Sequence, residues 1–399
     1  MNLVPFFCST IFLGTIVKNS VWKQLASSIH SSGRLAVIAI TGGGSQAVGK
    51  LLSVPGGSQT LLEAVVPYSL AALTDFLGGA PDQACSEPTA RAMAMTAWMR
   101  AKKLGADPLS AVGVGVTASL ISDVPKRGEH RIHVGVQTAI ATTSYSLTLT
   151  KGKRTREQEE RLSARLLLLA LGEACKADDD ACHARFERML LDGEQIQRGQ
   201  QQALAQWTQL LLGKQPYVLL PPTTNKALPK VLFPGAFNPL HEGHRLMAEI
   251  AEQLTQSNVS YEMSVTNVDK PPLDFVEISN RLASIAKHDP TRSVLLTAAP
   301  TFSEKAALAS NCTFVVGADT LQRIADLHYY GDDTKLRDLA IRNIGEANCR
   351  FLVFGRKLEG EFCSLSDLEI PLELTELCEE VPESQFREDV SSSALRERQ

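Results

Sequence analysis

Aromatic residues are scarce, at 6% of 399 residues, and none of the three tryptophans, Trp22, Trp98 and Trp207, lies beyond position 207. Any ring-stacking surface beyond position 207 therefore has to come from tyrosine, phenylalanine or histidine. Paired cysteines are missing too: the eight cysteines are scattered without a Cys-x-x-Cys, and Cys175 and Cys182 beside His183 lack zinc spacing. That pattern reads as reduced intracellular thiols and assigns no metal ligand. A charge excess is absent, with a formal net charge of -4, so nucleic acid is not expected as a partner. No repeat period is visible, and no long apolar run either. Residues 3–17 are apolar and aromatic, but too short for a membrane span and without the basic flank of a signal peptide. No membrane association is expected. The first acidic residue is Glu63, after Lys18, Lys23 and Arg34, which leaves an organelle transit segment open. The cytoplasm is the first expectation for location, with mitochondrion or plastid second. What is present, 44% hydrophobic and 21% charged residues, is ordinary for a globular protein with room for two or three domains.

The most informative stretch is 231–248, VLFPGAFNPLHEGHRLMA. Val231, Leu232 and Phe233 read as a buried strand, Gly235 and Pro239 break it, and residues 245–254 open an amphipathic helix. His241 and His244 then stand where a strand ends and a helix begins. Free backbone N–H groups and the helix dipole favour an anion there, and two imidazoles add donors aimed at phosphate oxygens. Either histidine alone would more often be solvated or a satisfied core residue.

The whole string, Gly235-x-Phe237-x-Pro239-x-His241-x-Gly243-His244, resembles the signature of the HxGH nucleotidyltransferase superfamily. Its lead-in, Gly235-Ala236-Phe237-Asn238-Pro239, looks most like nicotinamide mononucleotide adenylyltransferases. A second element lies near the other end, where residues 390–396, VSSSALR, resemble the family's I-S-S-T-x-I-R. The resemblance implies that Ser391, Ser392, Ser393 and Arg396 hold ATP phosphates. Physically, serines can cap a helix while offering hydroxyls, and an arginine one turn on can point its fork at the same anion. Read alone, such a run is more often a solvated cap or frayed tail.

Between the two elements the chain alternates as a doubly wound α/β domain does. Residues 262–267, 294–298, 313–317 and 351–355 are short hydrophobic or β-branched runs separated by helical stretches such as 275–285. With 231–233 they predict a Rossmann-like parallel sheet of about five strands, with ligands beyond the carboxyl ends. Polar residues at those ends are the candidates: Asn267, Asp269 and Lys270, then Asp319 in Gly317-Ala318-Asp319, then Arg356 and Lys357. By resemblance, Asp319 contacts the nucleotide and Arg356 reaches ATP phosphates, while Lys270 and Arg281 occupy places where relatives carry basic residues near the acceptor. Aspartate after a strand is also a common helix cap, and lysine or arginine is usually a solvated face.

The chemistry implied is nucleotidyl transfer. A phosphate oxygen of an acceptor attacks the α-phosphorus of ATP and pyrophosphate leaves, with no covalent enzyme intermediate. Positioning and charge neutralisation do most of the work, with His241 and His244 orienting the triphosphate and Mg²⁺ bridging phosphate oxygens as a cofactor without an assigned protein ligand. Nicotinamide or nicotinate mononucleotide is the first acceptor, another phosphorylated small molecule the second. Relatives place a tryptophan after the G-x-D helix, and this chain has His328-Tyr329-Tyr330, so Tyr329 is the stacking candidate.

The N-terminal half is different. An apolar strand at 35–40 leads into Thr41-Gly42-Gly43-Gly44-Ser45, followed by VPGG at 54–57, Val65-Val66-Pro67-Tyr68-Ser69, Cys85-Ser86-Glu87 and a strand at 111–116. These resemble the C-terminal domain of the competence-damage-inducible protein CinA, an α/β domain that in active members is a nicotinamide mononucleotide amidohydrolase. The resemblance puts Thr41 at the nucleophile's position, with Tyr68 a further candidate, but no base can be assigned to Thr41. Hydrolysis is expected to be lost or altered, and glycine-rich turns after strands are often plain tight connections.

Residues 155–174 read as an amphipathic helix opened by Thr155, 184–212 as a second helical stretch, and PPTTN at 221–225 as a linker. The expected plan is an extension over 1–28, a CinA-like α/β domain over 29–176, a helical bridge over 177–228 and a nucleotidyltransferase domain over 229–399. Three functions stay open: the adenylyltransferase, a degenerate nucleotide-binding or regulatory protein without turnover, and an amidohydrolase acting through the first domain. Small-molecule nucleotides are the expected partners, and homo-oligomerisation is left open.

Overall fold

The computed structural model describes residues 21–124, 127–177, 180–222, 227–358 and 361–386. The chain divides into two compact units, one running to Leu204 and taking in Lys270–Phe275, the other built from the remainder. Both are α/β.

In the first unit the chain forms α1 (residues 21–30), β1 (Leu35–Thr41), α2 (Gln46–Leu52), β2 (Leu61–Val65), α3 (Leu70–Leu77), α4 (Glu87–Lys103) and β3 (Ala111–Ser119). It continues with β4 (His130–Gln137), β5 (Ala141–Leu149), α5 (Arg156–Ala174), α6 (Asp180–Glu187) and β6 (Gln197–Gln202). The sheet order is β2-β1-β3-β4-β5-β6; β1 pairs in parallel with β2 and β3, and the later pairs are antiparallel. Close contact between α4 and the sheet depends on missing side chains. A Cβ on Gly113 would lie 2.0 Å from Ala94 O, and one on Gly135 2.4 Å from Ala90 O. The predicted helix at 155–174 is present, its Thr155 hydroxyl accepting from Gln158 N–H in a capping box.

The stretch 184–212, expected as helix, breaks instead. Helix α6 ends at Glu187, Gly193 turns the chain with φ of +85°, and residues 197–202 pair antiparallel with β5. The edge of β5 supplies hydrogen bonds that a polar, coreless helix could not replace, and Gly199 fits against Ser144 Oγ, 3.0 Å from where its Cβ would be.

The second unit runs α7 (Ala205–Leu211), β7 (Tyr217–Leu220), β8 (Val231–Pro234), α8 (Glu242–Thr255), β9 (Val259–Ser264), α9 (Phe275–His288), β10 (Val294–Thr297), α10 (Phe302–Leu308), β11 (Thr313–Gly317) and α11 (Ala318–Ala325). After a 3-10 turn at Leu327–Tyr330 come α12 (Thr334–Glu346), β12 (Arg350–Phe354), the small ladder of β13 (Arg356–Leu358) and β14 (Glu361–Cys363), α13 (Leu372–Thr375) and β15 (Cys378–Val381). The main sheet has seven strands in the order β15-β12-β11-β8-β9-β10-β7, all parallel except β7. All five predicted strands are there, the one expected at 262–267 running instead over Val259–Ser264; β7 and β15 extend the sheet beyond them. From β8 the chain winds outward through β9 and β10, then returns to β11 on the other side of β8. That reversal opens a crevice at the carboxyl ends of β8 and β11, the position where such sheets take ligands. Below it, a buried ion pair ties β9 to α10: Lys305 Nζ stands 2.8 and 2.9 Å from the two Glu262 oxygens and 2.8 Å from Ala299 O, and Thr297 donates to the same carboxylate. No described helix is long and apolar enough to cross a membrane.

Candidate functional site

Strand β8 brings the chain to the crevice, and the turn after it is shaped by one ring. Gly235 N–H donates to Glu262 O at 3.0 Å, extending the β8–β9 ladder by one residue. A Cβ there would lie 2.7 Å from Phe237 Cζ, so only glycine fits. Phe237 takes φ of +46°, a conformation that costs a non-glycine residue free energy. Its ring is fully buried, with centroids 4.5 Å from Tyr261, 5.2 Å from His244 and 5.6 Å from Phe233. Aromatic burial of that size offsets the backbone strain and holds the turn. Arg281, reaching in from α9, donates through Nη1 to Ala236 O at 3.1 Å. In this structure it braces the turn. Asn238 follows, joined to Pro239 by a cis peptide.

His241 caps α8 and His244 lies in its first turn, their rings stacked with centroids 3.8 Å apart. The His241 backbone N–H donates to His244 Nδ1 at 3.3 Å. Because Nδ1 accepts, we assign the ring proton of His244 to Nε2, making it a neutral donor. Burial, then the charges of His241 and Arg356, push the His244 pKa down to about 3. Burial and Arg356 lower that of His241 as well. Neither ring nitrogen of His241 meets a hydrogen-bond partner among the described residues. Two neutral imidazoles at a helix start, one with open nitrogens, suit an incoming polyanion that supplies the acceptors.

The neighbouring strand ends complete the arrangement. Asp319 stands in the first turn of α11, its Oδ1 3.6 Å from Arg356 Nε. Gly317 makes room for the pair: its Cβ would lie 2.4 Å from Asp319 Oδ1 and 2.9 Å from Arg356 Nε. The structure thus brings His241, His244, Asp319 and Arg356 together from three parts of the sequence. Tyr329 belongs to a cluster that the sequence only half revealed, its hydroxyl donating to Asp269 Oδ2 at 2.9 Å and accepting from Arg323 Nε at 3.3 Å. Arg323 also pairs with Asp269, and no sequence signal marked it out. Lys270 groups with the first unit. Ser391, Ser392, Ser393 and Arg396 lie outside the described residues.

In the first unit, Thr41 ends β1 in register with Thr117 of β3. Gly42, at φ of +79°, passes Ala118 O so closely that a Cβ would overlap it at 1.8 Å. The loop's donors are already engaged. Glu160 of α5 takes Gly44 N–H at 2.7 Å on one oxygen, and Ser45 Oγ at 2.9 Å and Gln46 N–H at 3.1 Å on the other. No described side chain hydrogen-bonds Thr41 as a base, and Tyr68 is 67% exposed in the loop between β2 and α3.

No curated protein matches the chain. Among solved structures, its N-terminal region matches CinA-superfamily proteins. The competence/damage-inducible protein of Agrobacterium tumefaciens is 20% identical, over 44% of this chain and 99% of that one, with a TM-score of 0.33. The CinA superfamily proteins of Klebsiella pneumoniae 700603 (15% identity, 40% and 98% coverage, TM-score 0.33) and Enterobacter cloacae (17%, 44% and 99%, 0.33) are similar to the same degree. Residues 232–398, the segment carrying both imidazoles, Asp319 and Arg356, match the family described as Cytidylyltransferase-like, which supports nucleotidyltransferase chemistry in general.

Proposed function

We propose that the second unit transfers an adenylyl group from ATP to a phosphorylated small acceptor, nicotinamide or nicotinate mononucleotide first, releasing pyrophosphate. The observation carrying this reading is the stacked neutral pair His241–His244 at the start of α8, facing the charge of Arg356. In the reaction an acceptor phosphate oxygen forms a bond to the α-phosphorus as the bond to the pyrophosphate oxygen breaks. His244 Nε2–H and the α8 N–H groups would donate to the triphosphate, His241 would orient it, and Arg356 would neutralise charge that builds on the leaving group. Asp319 would hold Arg356 and meet the nucleotide. Gly235, Ala236, Phe237 and Asn238 would shape the turn around the phosphates, with Ser391, Ser392, Ser393 and Arg396 as further phosphate donors. Tyr329 and Arg281 stand as acceptor-side candidates.

Magnesium is the proposed cofactor. Neutral imidazoles and a guanidinium are donors to phosphate and poor ligands for a hard cation, so the ion would be carried by triphosphate oxygens and water. When bound it would neutralise phosphate charge. The amidohydrolase alternative is disfavoured by Glu160, whose carboxylate takes the glycine loop's donors.

Incubation with ATP and each mononucleotide, followed by mass analysis, should yield the dinucleotide. Binding of ATP with no adenylylated product from any phosphorylated acceptor would instead favour a nucleotide-binding protein without turnover.

A further inference from the structure

We propose that α5 and α6 of the first unit hold a small phosphate-class anion between Arg165 and Arg185. Helix α5 carries Arg161 and Arg165 one turn apart, and α6 carries Arg185. Arg161 is answered by Glu157 at 2.6 Å. Neither Arg165 nor Arg185 has a carboxylate partner among the described residues, although both are half-buried and the Nε of each is buried without a hydrogen bond. Two more deeply buried arginines in this unit are treated differently: Arg91 meets Glu87 and Asp274, and Arg154 meets Glu194.

The guanidinium of Arg165 is held by neutral groups. It lies 5.0 Å from the Trp22 ring centroid, with Nη1 2.6 Å from Met189 Sδ. Met189 follows Arg185 by one turn, its N–H donating to Phe186 O at 2.8 Å, so the contact draws Arg165 toward the end of α6 that Arg185 occupies. Burial first, then the charges of Arg161 and Arg185, lower the pKa of Arg165. A ring and a thioether fix the side chain but bring no negative charge. Two like charges kept half-dry beside each other are unfavourable until an anion joins them. Planar guanidinium forks match the oxygens of a phosphate.

The test is thermal unfolding of the full chain titrated with inorganic phosphate, against chloride at equal ionic strength. Phosphate should raise the midpoint in the wild type and should still raise it in His244→Ala, which separates this site from the crevice of the second unit. Arg185→Gln should weaken apparent phosphate affinity by about tenfold or more, the scale expected for loss of a charge-assisted bidentate contact. Without phosphate, the same variant should unfold no earlier than the wild type, because a repulsion has been removed. Should Arg185→Gln fail to fold, Arg185→Lys carries the test: charge is kept, the fork is lost, and phosphate binding should still weaken. Glycerol 3-phosphate separates the two sources of the group, with tighter binding than inorganic phosphate assigning a monoester and weaker binding the free ion. A phosphate effect no larger than that of chloride, or one undiminished in both Arg185 variants, overturns the proposal.

Discussion

His241 and His244 are joined twice, by a stack with centroids 3.8 Å apart and by a hydrogen bond from the backbone N–H of the first to Nδ1 of the second. The bond needs an unprotonated Nδ1, and burial removes the water that would stabilise a charged ring. Both effects keep His244 neutral.

Stability should therefore depend on pH in a definite direction. The folded-state pKa of His244, about 3, lies below its ordinary value of 6.5. Between those values the unfolded chain takes up a proton that the folded chain refuses, so stability is full above pH 6.5 and falls as the solution becomes more acidic. The slope from this group is at most about 1.4 kcal/mol per pH unit. Chemical unfolding of the wild type and His244→Asn from neutral to mildly acidic pH should give a steeper loss in the wild type. Equal slopes would mean that His244 protonates normally in the folded protein.

Gly317→Ala should separate catalysis from stability. Its Cβ would displace Asp319 Oδ1 and Arg356 Nε, from which it would stand 2.4 and 2.9 Å away, while the strand itself stays paired. Pyrophosphate release should drop by about tenfold or more, and the unfolding free energy should change by about 1 kcal/mol or less. Retained turnover would show that the Asp319–Arg356 pair is dispensable.

Replacing Lys305 with methionine should cost the second unit about 3–5 kcal/mol, because Glu262 would be left as an uncompensated buried charge. The double change Lys305→Met with Glu262→Leu should recover much of that loss. Denaturant titration of the three variants measures both quantities, and no recovery in the double variant would contradict the account.

In the first unit, Glu160→Ala should free Gly44 and Gln46 N–H groups that now bind a carboxylate. Their amide hydrogen exchange should accelerate, and stability should fall by about 1–3 kcal/mol. Ammonia release from nicotinamide mononucleotide should be detected neither in the wild type nor in the variant, since no described group hydrogen-bonds Thr41 as a base.

The turn after β8 was legible in the sequence because its determinants are local: a glycine where a ring leaves no room for Cβ, a proline, and two histidines three residues apart. Five of the seven strands of the second sheet were legible for the same reason, each being a short hydrophobic or β-branched run. Strand β6, QRGQQQ, was not, because as a polar edge strand with most residues exposed it owes its shape to pairing with β5 and not to a buried face. Glu160 could not be foreseen either, since it reaches the glycine loop across 116 residues of chain. Burial hid the neutral state of the histidines, and Arg323 looked like one more solvated cation until Asp269 and Tyr329 came beside it.

The most direct test of the central claim is acceptor-dependent pyrophosphate release from ATP by the wild type and His244→Ala. The account predicts saturable release that needs a phosphorylated acceptor and drops by about 10²–10³-fold in the variant, the scale of losing one preorganised donor. Release that is undiminished in His244→Ala would contradict it.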